Sequence, residues 1–339
     1  MKDTSTLSVI EGRERYEIVK LIAEGGMGTV FKAKKIGVAG FEKIVAIKMM
    51  RNKLSDDESL VYYFIREAKL VANLIHENIV QIYQLDKYKD IYYLVIEYVD
   101  GVSLFEFVDF HTKLKKRTPL DLAIFIAARV ARGLAYAHSR RGHDGKLLGI
   151  VHCDVCPHNI LINTEGVPKI TDFGIARVTS RDAVRRRFTG KLAFMAPEQA
   201  RQEEVDFRSD IYALGIVLFF MVSGKMARDT ALSPVEQLAA ARENRIDWSL
   251  LPDGLPGEVT GMLRKMLAAD PAERYDDTAH LARDLEYFIY KDGYGPTIVT
   301  LADYMRELMP GRFEADSGTE PGTETIGDSD RTVVLPPNR

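Results

Sequence analysis

The stretch Arg208–Gly224, RSDIYALGIVLFFMVSG, narrows the possible architectures more than any other part of the chain, because as a helix it is apolar on nearly every face. Such a helix has no side to offer water and belongs inside a core built by other elements. Its longest apolar run, ALGIVLFFMVSG, is too short to cross a bilayer. A large helical body must therefore surround it. At 339 residues the chain also exceeds one average domain, so two lobes or two domains are expected.

The helical partners are legible. PLDLAIFIAARVARGLAYAHSR repeats apolar residues every three or four positions, shorter helical stretches continue to about Tyr290, and TIVTLADYMRELM predicts one more. The first hundred residues read differently. YEIVKLI, TVFKAKK and KIVAIKMM are short β-type runs separated by glycine-bearing breaks, and DESLVYYFIREAKLVANL has helical spacing with acidic residues at its start. IVQIYQLDKYKDIYYLVIEYV then predicts two strands joined by a polar turn around Lys87. The expectation is an α+β protein, with a small five-stranded antiparallel sheet plus one helix ahead of a large, mostly helical part. After Gly311 the composition turns to Gly, Thr, Ser, Pro and acids, too poor in apolar surface to fold alone, and a disordered tail is expected over 312–339.

Composition excludes some classes. A net charge of -3 gives no electrostatic case for a nucleic-acid binder, and SRRG and RRRF read as solvated surface. The N-terminus lacks the apolar core of a secretory signal, so a cytoplasmic protein without a membrane span is expected. Two cysteines cannot make a disulfide framework.

Both cysteines lie in HCDVCPHN, His152 to Asn159, around the single aspartate Asp154. Taken alone, that loop admits a metal site, a redox pair or a catalytic loop. Elsewhere, AEGGMGTV between the first two strands lets backbone N–H groups close over phosphates. Ala23 stands where the pattern G-x-G-x-x-G has its first glycine, while Gly25 and Gly28 fill the others. VAIK ends in Lys48, and Glu67 lies on the following helix, within reach to pair with it.

HCDVCPHNIL, TDFGIA, MAPEQ, SDIYALG and DPAERY then follow in order. From Tyr16 to Tyr290 the chain resembles the protein kinase superfamily, in particular the bacterial relatives of eukaryotic Ser/Thr kinases. The resemblance implies a two-lobed fold, with a small lobe over 16–99 and a large lobe over 100–290. Residues 1–15 would form an N-terminal segment and 291–311 a helical extension. It implies ATP and Mg²⁺ as cofactors. Asp154 would accept the substrate hydroxyl proton, Asn159 and Asp172 would hold the metal, and Lys48 would pair with Glu67 while gripping the nucleotide phosphates. The loop Ile22, Ala23, Glu24, Gly25, Gly26, Met27, Gly28 and Thr29 would cover those phosphates. Val30, Ala46 and Leu161 would join Ile22 in sandwiching adenine, with Ile96 gating the pocket and backbone groups of Glu97 and Val99 bonding the base. Glu198 and Arg274 would form a buried ion pair, and Asp210 would anchor the catalytic loop.

Against the family pattern H-R-D-x-K-P-x-N, Cys153 replaces the arginine and Cys156 the lysine, and both substitutions delete a positive charge. The first implies less dependence on a phosphorylated activation segment. The second removes a cation near the transferred phosphate, and Lys191 in TGKLAFMAPE is the candidate replacement. Zinc is disfavoured because four ligands within seven residues converge poorly, and a Cys153–Cys156 disulfide because no thioredoxin-like context accompanies it. The loop lacks the arginine of tyrosine kinases, which favours protein substrates with Ser and Thr acceptors. A pseudokinase scaffold is the rival reading, suggested by Ala23, Cys153 and Cys156 and opposed by the retention of Lys48, Glu67, Asp154, Asn159 and Asp172. Autophosphorylation is expected at Thr179, Ser180 and Thr189. Tail residues Thr323, Thr325 and Thr332, once phosphorylated, could dock phosphothreonine-reading domains.

Overall fold

The computed structural model describes residues 8–24, 28–50, 58–173 and 192–313, with the side chains at 58–60, 63, 67 and 313 outside that description. The small lobe is an antiparallel sheet of six strands, β1 (Val9–Glu11), β2 (Arg15–Glu24), β3 (Gly28–Ile36), β4 (Glu42–Met50), β5 (Ile82–Tyr88) and β6 (Ile91–Glu97), in the order β1-β2-β3-β4-β6-β5. Helix α1 (Glu58–Val71) packs on one face.

The sequence predicts five strands here, and β1 is the addition. Its three residues are too few for a period-two signal, yet Ile10 pairs with Tyr16 and both are wholly buried with Phe31 and Tyr93. The hairpin turn also lies two residues past Lys87. Lys89 and Asp90 have φ of 46° and 69°, the left-handed pair that a two-residue turn needs to match strand twist.

Strand β4 shows how the sheet aims a side chain at the interlobe cleft. Val45, Ile47 and Met49 enter the outer cluster with Tyr93 and Val95, while Ala46 and Met50 enter the inner cluster with Phe64 and Ala68 of α1. Side chains alternate along a strand, so Lys48 shares the inner face with Ala46 and Met50.

The large lobe starts with β7 (Gly101–Ser103), α2 (Leu104–Lys113) and α3 (Leu120–His138), followed by β8 (Ile160–Asn163) and β9 (Pro168–Ile170), which make a three-stranded sheet with β7. Then come α4 (Pro197–Arg201), α5 (Phe207–Ser223), α6 (Pro234–Arg242), α7 (Gly257–Met266), α8 (Thr278–Tyr290) and α9 (Ile298–Leu308). Helix α5 holds the apolar stretch of 208–224, and every residue from Ser209 to Val222 is buried. Asp206 caps its start by accepting from Arg208 N, and Gly224, with φ 70°, ends it.

Helix α9 sends Leu301, Met305 and Leu308 into the large-lobe core. Gly166, in the β8–β9 turn with φ 78°, is pressed so close that a Cβ there would lie 2.0 Å from the Ile298 carbonyl oxygen. Among the described residues no helix is long and apolar enough to cross a membrane.

Candidate functional site

Asp210 sets the catalytic loop from the buried end of α5. Its carboxylate accepts from the backbone N–H of His152 and of Cys153, both at 2.7 Å, and lies 2.8 Å from His138 Nε2. His138 reaches Thr278 Oγ1 through its other nitrogen at 2.9 Å, a support the sequence motifs did not disclose. The backbone that follows is forced into an uncommon shape. Cys153 has φ 61°, and its carbonyl accepts from Gln199 Nε2 at 3.3 Å.

His152 is fully buried, with Nε2 at 3.0 Å from the Thr171 carbonyl and its ring 4.6 Å from that of Phe173. Burial pushes its pKa down, against the opposing pull of Asp210 and Asp154. His76 and His111 are pushed down for the same leading reason. All three therefore hold a proton less readily when folded than when unfolded, where they titrate near 6.5. The unfolded chain binds more protons below that pH, so stability falls as the pH drops through it. The expected slope is up to about 1.4 kcal/mol per pH unit for each histidine. Urea midpoints measured across that range check this, and a flat profile above the carboxylate range would overturn it.

Four of the expected site side chains form two pairs. Asn159 Nδ2 donates to Asp154 Oδ2 at 2.9 Å and to the Asp154 carbonyl at 2.8 Å. The Asn159 carbonyl accepts from Thr171 N at 2.9 Å, fixing the segment that carries Asp172. Lys48 Nζ donates to Asp172 Oδ1 at 2.7 Å, joining the two lobes. Asp172 itself has φ 57°, a second left-handed residue at the same cleft. Phe173 lines a cavity behind Lys48 together with Phe64, Ala68 and Val71 of α1.

The apolar slot gathers Ala46 and Ile96 with the half-buried Val30, Val99 and Leu161. Ile22 stays outside that cluster and is 45 % exposed. Glu97 N already donates to the Gln81 carbonyl at 2.8 Å, so a base at this edge would take the carbonyl of Glu97 rather than its N–H. The Glu97 carboxylate pairs with Lys169 at 2.9 Å, which the motifs did not disclose.

Ala23 faces Val30 and Glu24 faces Thr29 across the β2–β3 ladder. Gly28 is required by packing as well as by any phosphate, since a Cβ there would lie 2.2 Å from the Met49 carbonyl oxygen. Gly25, Gly26, Met27, Lys191, the Glu67 side chain, Thr179, Ser180, Thr189 and the tail threonines lie outside the described residues.

The two cysteines part company. Cys156 is wholly buried in the large-lobe core, Cys153 is half-buried, and neither is in a disulfide. His158 is exposed and stacks on Phe105 at 4.3 Å.

Residues 16–288 match the protein kinase domain family. The chain belongs to that family. It is 35% identical over 309 residues to the tyrosine-protein kinase MasK of Myxococcus xanthus, covering 90% of this chain and 47% of the relative. It is also 35% identical over 277 residues to the serine/threonine-protein kinase PrkC of Bacillus subtilis, covering 80% and 40%. PknB of Mycobacterium tuberculosis, named a serine/threonine-protein kinase, is 35% identical over 286 residues, covering 80% and 42%. The chain thus spans about half the length of these curated relatives or less. Its fold is that of the Mycobacterium tuberculosis PknI kinase domain, whose crystal structure as a point mutant gives a TM-score of 0.62 at 23% identity, covering 84% of this chain and 98% of the other.

Proposed function

We propose that this kinase transfers the γ-phosphate of ATP, with Mg²⁺, to protein hydroxyls. The observation that carries the reading is the pairing of Asn159 with Asp154 and of Lys48 with Asp172 at 2.7 to 2.9 Å, the two pairs tied by the bond from Thr171 N to the Asn159 carbonyl. The donor set suits magnesium. With Nδ2 committed to Asp154, Asn159 has its amide oxygen to offer, and Asp172 adds a carboxylate; both are hard oxygen donors of the kind that hold Mg²⁺ beside substrate phosphates. When bound, Mg²⁺ neutralises charge on the transferring phosphoryl group.

In this reading Lys48, on the inner face of β4, binds the nucleotide phosphates. Asp154 orients the acceptor hydroxyl and takes its proton as the oxygen forms its bond to phosphorus, while the bond to the departing diphosphate breaks and ADP leaves. Little else is asked of the protein than position and charge. Cys156, a buried cysteine, supplies no cation to this step. Lys191 adjoins Leu192, and the segment after it is anchored by Arg228 Nη1, which donates to the carbonyls of Ala193 (3.3 Å) and Met195 (2.7 Å). In this proposal Lys191 brings the missing charge. Lys191→Ala should lower transfer by about 10- to 100-fold and Lys191→Arg should keep most of it. Full turnover in Lys191→Ala would remove it from the mechanism.

The reading is tested by following labelled γ-phosphate into the protein itself and a generic substrate. Phosphoamino-acid analysis then separates Ser and Thr from Tyr acceptors, a distinction sharpened by the relative named a tyrosine kinase. Binding of Mg·ATP with no transfer would favour the scaffold reading, which rests on Ala23 and on the two cations lost at Cys153 and Cys156. A cytoplasmic site of action, where ATP is abundant, and tail phosphothreonines as docking points for reader domains belong to the same proposal.

A further inference from the structure

Two peptide units beside the catalytic loop are each held at both polar ends, and the Gln199 side chain touches both. The unit joining Cys153 to Asp154 directs its N–H to His152 Nδ1 at 3.2 Å, while its carbonyl accepts from Gln199 Nε2 at 3.3 Å. The unit joining Met195 to Ala196 directs its N–H to Gln199 Oε1 at 3.0 Å, while its carbonyl accepts from Arg228 Nη1 at 2.7 Å. Gln199 thus spans from the segment that follows Lys191 to the backbone of Asp154. Turning its amide over would set donor against donor at Ala196 and acceptor against acceptor at Cys153, so its orientation is fixed. His152 fits the same scheme. Its Nε2 lies 3.0 Å from the Thr171 carbonyl, which makes that nitrogen the donor and leaves Nδ1 to accept.

Both ends of this relay are unfavourable by themselves. Cys153 stands at φ 61°, a shape that persists only because the bonds around it impose it. Arg228 is 4 % exposed, its Nη2 meets the Tyr212 hydroxyl, and its Nε has no partner. Among the described residues no carboxylate makes an ion pair with it, Glu198 being paired with Arg274. A cation buried largely on backbone carbonyls costs stability. What it fixes is the path of the segment, since Nη1 also donates to the Ala193 carbonyl at 3.3 Å. Tyr212 passes the anchorage on, donating to Asn244 Oδ1 at 2.5 Å from the buried face of α5.

We propose that Gln199 is a positioning residue for phosphoryl transfer: it carries the path of residues 193–196, set by Arg228, into the peptide plane on which Asp154 stands, and so aims that carboxylate at the acceptor hydroxyl. The inference rests on the phosphotransfer reading. Gln199 also occupies the third position of α4, where its Oε1 caps the helix. Gln199→Glu separates the two roles. The carboxylate still accepts from Ala196 N and suits a helix start, but it cannot donate to the Cys153 carbonyl.

The test follows labelled-phosphate transfer by the full chain, with Mg·ATP affinity by calorimetry and melting temperature beside it. Misplacing a reacting group by about 1 Å costs up to about 10²-fold in rate, so Gln199→Glu should lower kcat about tenfold while nucleotide affinity and melting temperature stay at wild-type values. Arg228→Lys, whose ammonium lacks the fork of donors, should also lower kcat. Combining the two should lower it little further, because one relay is cut twice. Full turnover in Gln199→Glu, a loss that tracks a fall in melting temperature, or effects of the two substitutions that multiply would each overturn the proposal. Should Arg228→Lys fail to fold, Gln199→Glu alone decides. Hydrogen exchange adds a readout without turnover: the Asp154 amide should exchange faster in Gln199→Glu, and the Ala196 amide should not. If the wild type transfers no phosphate, the phosphotransfer reading falls, and equal exchange at Asp154 in the two proteins would show that the relay is wrong as well.

Discussion

Asp154→Asn lowers γ-phosphate transfer by about 10²- to 10⁴-fold, the usual contribution of a positioned general base, and leaves the fold intact. The substitution keeps the shape of the side chain and an oxygen that can still accept from Asn159 Nδ2, so the loop geometry has no reason to change. What is lost is the group that takes the hydroxyl proton. Lys48→Met should act by a different route, through nucleotide affinity and phosphate charge. It also leaves Asp172 Oδ1 without its lysine, but with its side chain 38 % exposed that carboxylate can recruit water. The two variants are separated by titrating Mg·ATP binding calorimetrically alongside turnover. Asp154→Asn should bind nucleotide as the wild type does, and Lys48→Met should bind it more weakly. Transfer at wild-type rates in Asp154→Asn, with unchanged melting temperature, would sink the catalytic assignment.

Much of this site was legible because phosphoryl transfer demands particular residue types at fixed separations, and spacing along the chain survives in the sequence. The continuous apolar run of β4 was legible as a strand for a related reason: both of its faces are covered, by Tyr93 on one side and α1 on the other. Other features leave no such trace. Cys153 and Asp172 are left-handed without being glycine, so nothing in the letters marks the strain, which is imposed by the bonds of Asp210 and Thr171 around them. Strand β1 is too short to show alternation. The helix in TIVTLADYMRELM could be read from its period, but period gives the apolar face and not what covers it. Only the structure shows Leu301 and Met305 entering the large-lobe core and Tyr304 OH meeting His111 Nε2 at 2.7 Å.

Arg274→Met should destabilise the large lobe by about 3–5 kcal/mol at neutral pH, because it strands a buried charge. Glu198 is 2 % exposed; Arg274 meets both of its oxygens, at 2.7 and 2.8 Å, and Ser209 Oγ adds a third contact at 2.5 Å. Arg274 also donates to the carbonyls of Ala268 and Arg208, both at 2.9 Å, so its removal leaves those acceptors short as well. Burial pushes the Glu198 carboxyl up, but the bonds and charge of Arg274, with the bond from Ser209, outweigh it and hold the group below 4.5. In the wild type the folded state then binds fewer protons than the unfolded state as pH falls below 4.5, and this contribution is lost on acidification. In Arg274→Met burial dominates, and the folded pKa moves above 4.5. The folded variant binds the extra proton first, so its penalty shrinks as pH falls from neutrality toward 4.5. Denaturant unfolding at several pH values reads that convergence directly. Glu198→Met combined with Arg274→Met should recover a large part of the loss, since no charge is left buried. A penalty that is independent of pH and undiminished in the double variant would show that Arg274 stabilises the lobe through packing and its carbonyl contacts alone.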